Sequence, residues 1–164
     1  MKRIVVFLGL FVATGLLMAG GNVAPSLPEV ATIDEIKPCK TNTVYTEKDA
    51  GLMWQDAKYT DAEDGAYKRN HSVRKSGTWG HAMNYCRSLN YGGYTDWRLP
   101  ASDELTNLHR KAGQTFINYR DGDFWSSTPT TDVRYYAVFP ADAYQYKRYK
   151  KESNYIRCVR CLRN

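Results

Sequence analysis

An α+β fold is the class this sequence predicts, and three patterns in chain order predict it. Two short strand-like runs come first, two helices with apolar steps of three and four follow, and turn-punctuated aromatic strands close the chain. The first pair is Val44 to Thr46 and Leu52 to Gln55, with the polar "EKDAG" between them as a hairpin turn. Asp56 to Ser76 is polar and charged without an apolar period, so it is expected to be a long loop, functional or mobile. From Thr78 to Asn90, Trp79, Ala82, Met83, Cys86 and Leu89 form one apolar stripe, with Thr78 as N-cap.

The stretch "GGYTDWRLPASDEL" then reads as helix stop, extended segment and helix start. Gly92 and Gly93 end the first helix. Thr95, Trp97 and Leu99 alternate with Tyr94, Asp96 and Arg98 as in a half-buried strand, and Pro100 ends it. Ser102 is expected to cap the second helix, with Asp103 and Glu104 in its positive first turn, Leu105 and Leu108 inside, and Gly113 at its close. Asp96 or Glu104 is expected to pair with Arg98. No nucleophile or base stands out here, so the stretch is read as a structural joint. Four strands follow: Phe124 to Thr128, Val133 to Phe139, Ala143 to Lys151 and Asn154 to Arg160.

The 164 residues have room for one domain, preceded by a different kind of segment. Lys2 and Arg3, an apolar run from Ile4 to Met18 and the small residues "AGG" read as a secretory signal over 1–21, cut after Gly21. The run is shorter than the ~20 apolar residues of a membrane span, so none is expected to remain after cleavage. Residues 22–38 read as a flexible leader and 39–164 as the domain. The expected location is outside the cytoplasm, in the periplasm or at the cell surface.

Four cysteines, Cys39, Cys86, Cys158 and Cys161, argue for two disulfides in an exported chain. "NYIRCVRCLRN" reads as a strand, where positions three apart face opposite sides, so Cys158 and Cys161 are each expected to find a distant partner. A redox pair and a zinc site both rank below this reading.

"GLMWQ", the "W" and "YC" of the first helix, "GGYTDWRLP" with "EL", "FWSST" and the closing "YIRCVR" resemble the Lcl C-terminal domain family, long listed as a domain of unknown function in exported bacterial proteins. The resemblance covers about residues 44–161, and Trp54, Trp79, Trp97, Arg98, Pro100 and Trp125 are its structural motif positions. It implies a C-type-lectin-like fold with the chain ends side by side. It also implies a bridge between Cys86 and Cys158, which leaves Cys39 and Cys161 for each other. Closing the 86–158 loop contributes roughly 4 kcal/mol in the chain-entropy model. No collagen-like repeat precedes the domain.

Hydrolase and nucleotide motifs are absent: no G-x-S-x-G, H-E-x-x-H or G-x-x-x-x-G-K-[ST] occurs. His71, His81 and His109 are scattered, and Asp56, Asp61, Glu63 and Asp64 lack a calcium-loop spacing, so they read as a solvated acidic loop. No enzyme, cofactor or metal is expected.

The closing meander is the unusual part. From Arg134 to Arg163 eight basic residues face only Asp142 and Glu152, a segment charge of +6. Tyrosines interleave with them: Tyr144, Tyr146, Arg148 and Lys150 share one face of a strand, and Lys147, Tyr149 and Lys151 the other. Tyrosine suits sugar faces, and lysine and arginine suit sulfate and phosphate. These seven residues are the candidate ligand contacts of a binding module for anionic glycans or other surface polyanions. The alternative is a structural or assembly protein of the cell envelope that docks on a partner protein. Intracellular nucleic acid is not an expected partner for an exported chain.

Overall fold

The computed structural model of the chain describes residues 43–111 and 115–162. The signal, the leader, Cys39 and Gly113 lie outside the described residues. Among the described residues, three helices and eight strands, numbered in chain order, make a mixed α+β domain. Strand β1 (Val44–Glu47) pairs antiparallel with β2 (Leu52–Gln55), and β2 pairs antiparallel with β8 (Val159–Cys161). The second sheet has the order β3 (Ser76–Gly77), β7 (Asn154–Tyr155), β4 (Phe124–Pro129), β5 (Arg134–Phe139), β6 (Tyr144–Tyr149). Its pairs are antiparallel except β4 with β7, which meet in parallel at Phe124 and Tyr155.

Helices cover both faces of the larger sheet. Strand alternation sends Phe124 and Val138 to the side where Leu105 and Leu108 of α3 (Ser102–His109) pack with Trp54, Tyr59 and Phe116. It sends Trp125 and Ala137 to the other side, where Ala82 and Cys86 of α2 (Trp79–Arg87) pack with Trp97, Leu99 and Ile156. The bridge between Cys86 and Cys158 ties α2 to the chain just ahead of β8.

The expected long loop contains a helix, α1 (Asp61–Lys68). Thr60 and Glu63 form a capping box: Thr60 N–H donates to Glu63 Oε2 at 2.6 Å and Glu63 N–H to Thr60 Oγ1 at 3.3 Å. Apolar periodicity misses this helix because one of its inward residues is a carboxylate. Glu63 is fully buried and accepts from Lys75 Nζ at 2.8 Å and Lys75 N–H at 3.0 Å. Burial pushes its carboxyl up, but the Lys75 and Thr60 bonds outweigh that and hold it below the usual value.

Four further expectations change. Residues 154–161 are two short strands in different sheets, because the intervening backbone bonds elsewhere: Ile156 N–H to Lys75 O and Gln55 N–H to Cys158 O. Residues Tyr94 to Leu99 form no continuous strand: they make two isolated bridges, Tyr94 with Tyr91 and Arg98 with Val159, and Thr95 is exposed. The first helix stops at Arg87, and Gly92 and Gly93, at φ +61° and +82°, instead form the turn between Tyr91 and Tyr94. Ser102 is the first helical residue, and Ala101 N–H is capped by Glu104 Oε2 at 2.7 Å.

His109 points into the α3-side core against Phe116 and Phe124. Burial, helped by the Arg157 charge, pushes its imidazole down to about 4. In the unfolded chain the group protonates near 6.5, so between those values the unfolded state holds more protons. Stability is therefore full above pH 6.5 and falls as pH drops toward 4. The urea midpoint is expected to fall between pH 7 and pH 5, and to fall less in His109→Leu; an equal fall in both proteins removes His109 as the source.

Candidate functional site

The joint between α2 and α3 is built as a brace. Trp97 is 3% exposed, and its indole N–H donates to Tyr91 O and Tyr94 O at 3.1 and 3.0 Å. Arg98 closes a bidentate pair with Glu104, at 2.7 and 2.6 Å. Asp96 takes the other partner on offer, Arg160, at 2.7 and 3.1 Å. Pro100 is buried, and its carbonyl accepts from Ser127 N–H at 2.7 Å. Trp54 and Trp125 are fully buried, and their N–H groups donate to Glu47 Oε2 and Gly77 O. Trp79 stacks on Tyr135 with centroids 3.7 Å apart. The motif residues therefore hold the scaffold.

Of the acidic loop, Asp61 is exposed as expected, but Asp56 and Glu63 are buried. Asp56 is 1% exposed, accepts from Ile117 N–H and Asn118 N–H at 2.8 and 2.9 Å, and pairs with Arg157 at 3.2 Å. Asp64 pairs with Arg120 and accepts from Tyr155 OH. Asp56, Glu63 and Asp64 are thus committed to separate partners across the fold. The histidines are also apart: His71 is exposed, His81 Nε2 meets Arg74 O at 2.8 Å, and His109 is in the core.

Much of the charge of the meander is spent internally. Arg157 and Arg160 are buried and paired with Asp56 and Asp96. Arg148, expected as a ligand contact, donates to the buried Asp123 at 2.6 Å. Burial outweighs that pairing and holds the Asp123 carboxyl above its usual value, so Arg148 has a structural task.

The hairpin register sorts the remaining candidates onto two faces. Phe139 faces Tyr144, Ala137 faces Tyr146 and Tyr135 faces Arg148, on the α2 side. Val138 faces Gln145, Tyr136 faces Lys147 and Arg134 faces Tyr149, on the α3 side. Tyr144 and Tyr146 are 59% and 36% exposed, with centroids 4.7 Å apart. Lys147, Lys150 and Lys151 are exposed and make no ion pair among the described residues; Lys150 Nζ reaches only Asp132 O, at 3.4 Å. Lys150 and Lys151 lie in the turn after β6, beyond the strand expected to carry them.

Strand β6 is a sheet edge. Lys150 N–H bonds inward to Val133 O, so by alternation the Gln145, Lys147 and Tyr149 N–H groups face the open edge. Glu152 Oε1 takes that of Tyr149 at 3.0 Å. Charge-bearing edges of this kind resist edge-to-edge aggregation.

Two surface concavities lie elsewhere, one of about 330 Å³ beside Tyr94, Asp96 and Arg160 and one of about 370 Å³ beside Lys68, Tyr119 and Arg120. Of the cysteines, Cys161 is exposed and in no disulfide among the described residues. Its expected partner, Cys39, lies outside them. No helix among the described residues is long and apolar enough to cross a membrane.

Comparison with known proteins agrees with the motif order. No curated protein sequence matches the chain. The family model described as the Lcl C-terminal domain matches residues 43–160, from β1 through most of β8 and including every brace residue named above. The chain belongs to the Lcl C-terminal domain family.

Proposed function

We propose that this domain is an exported, non-enzymatic binding module of C-type-lectin-like fold that holds anionic glycans or other surface polyanions on the β5–β6 hairpin. The lectin-like reading is supported by the first and last strands, β1 and β8, which flank β2 in one sheet and so bring the domain ends together. The observation that carries the binding reading is the cluster of Lys147, Lys150 and Lys151. These cations are exposed and unpaired among the described residues, while Arg148, Arg157 and Arg160 of the same segment are paired with Asp123, Asp56 and Asp96. Exposed Tyr149 beside them, and Tyr144 and Tyr146 across the strand, supply flat contact area.

The test is retention on heparin. Lys150→Glu with Lys151→Glu is expected to lower the salt concentration at elution and leave the melting point unchanged, because exposed charge changes cost little stability. Absence of wild-type retention at low salt rejects the reading. The alternative, an envelope assembly protein, is favoured by the open edge of β6 next to Tyr144 and Tyr146. A partner bound there through apolar contact is expected to stay bound as salt rises.

A further inference from the structure

Arg134 was no part of the sequence-based site, yet it stacks on an aromatic ring of the basic face. Its guanidinium carbon sits 4.0 Å from the Tyr149 ring centroid, and Nη2 donates to the Tyr149 hydroxyl. Arg134 has no ion pair, and its other guanidinium N–H groups have no acceptor among the described residues. The stack fixes a planar donor fork that an unstacked side chain would have to order on binding. Register then places Lys147 diagonally across from it, at the roughly 7–8 Å of such neighbours, with Tyr136 and Tyr149 at the other two corners.

Three acids border the square. Asp103 Oδ1 is engaged by Gln145 at 3.3 Å, and Glu152 by Tyr149 N–H. Asp132 lies in the turn before Arg134, where its carbonyl receives Lys150. None pairs with Arg134 or Lys147.

Resting on the polyanion reading, we infer that Arg134 and Lys147 form a site for one tetrahedral oxyanion ester, a sulfate or phosphate group on a polymer, with Tyr149 as the residue that positions Arg134. A guanidinium fork saturates both oxygens of a carboxylate. A sulfate or phosphate ester offers a third oxygen that the ammonium of Lys147 can take at the same time. The pair therefore favours sulfated or phosphorylated polymers over carboxylated ones, and Arg148 is excluded from the site by its bond to Asp123.

The experiment measures affinity against salt for three polymers: heparin for sulfate, a dextran bearing phosphate monoesters for phosphate, and alginate for carboxylate at matched charge concentration. Arg134→Ala and Lys147→Ala are each expected to reduce the slope of log affinity against log salt by about one, the signature of one lost anion contact. Arg134→Lys keeps the charge but loses the stacked fork, and is expected to bind heparin like Arg134→Ala. Tyr149→Leu is expected to weaken binding more in the wild-type background than in Arg134→Ala, where only its flat contact area is left to lose. Stronger binding to heparin than to the phosphate-monoester dextran assigns the site to sulfate, and the reverse order to phosphate. Alginate bound as tightly as both overturns the tetrahedral preference. If the wild type is retained on heparin, the Lys150→Glu, Lys151→Glu protein is not, and Arg134→Ala and Lys147→Ala are unchanged, this inference fails while the broader reading stands. Absence of wild-type retention removes both.

Discussion

Lys75→Met is expected to destabilise the domain by about 3–5 kcal/mol, the cost of stranding a buried charge. Lys75 is 7% exposed, its ammonium lies 2.8 Å from Glu63 Oε1, and it sits 5.0 Å from the Tyr59 ring centroid. Methionine keeps the length of the stem and removes the charge. The Glu63 carboxylate would keep its bonds from Thr60 and from the residue-75 backbone, but with no cation beside it burial raises its pKa. The difference from wild type is therefore expected to be largest at neutral pH and to shrink in acid, as Glu63 takes up a proton in the variant. Adding Glu63→Gln to Lys75→Met should recover part of the loss. Urea unfolding of the single and double variants at pH 7 and pH 4.5 measures all of this, and a loss below 1 kcal/mol at pH 7 would show that Glu63 is not held as a buried anion.

Trp97→Ala is expected to cost a similar 3–5 kcal/mol, through lost packing and a residual cavity on the α2 side. The ring is edge-on to Tyr91, with centroids 5.9 Å apart, and belongs to the cluster that holds the Cys86–Cys158 bridge. Trp97→Phe retains most of the volume and loses only the indole donor. The carbonyls of Tyr91 and Tyr94 keep each other's N–H groups, so this variant should cost well under half as much. Heparin retention of whatever fraction stays folded is expected to be unchanged, since Trp97 lies apart from the basic face. A Trp97→Ala protein with wild-type melting but no retention would make the stretch a binding site and end its reading as a brace.

The elements legible in the sequence are those whose inward residues are apolar. Trp79, Ala82 and Cys86 announced α2, Leu105 and Leu108 announced α3, and the aromatic runs announced β4 to β6. Helix α1 was hidden because Glu63 occupies a core position normally read as polar surface. Its signal was the Thr60–Glu63 spacing of a capping box. The division of the basic residues was hidden for a related reason. Arg148, Arg157 and Arg160 look no different in sequence from Lys147 and Lys150, and only the fold brings Asp123, Asp56 and Asp96 to them from 25 to 101 positions away. Arg134 was counted as charge and not as a site, because its stacking on Tyr149 depends on the register of the β5–β6 hairpin.

The path of residues 154–161 bears on when this chain can fold. Within eight residues the backbone bonds to β3, to Asp123, to Lys75, to Gln55, to Arg98 and to β2, and it carries half of the disulfide. These residues leave the ribosome after every segment they bond to. Until they arrive, β2 has one open flank, β3 and β4 have nothing between them, and Cys86 has no partner in the domain core. The domain has no stable amino-terminal half to form during synthesis, and long-range closure of this kind makes folding late and slow. A nascent domain so arranged cannot complete either of its sheets until residues 154–161 are free to pair.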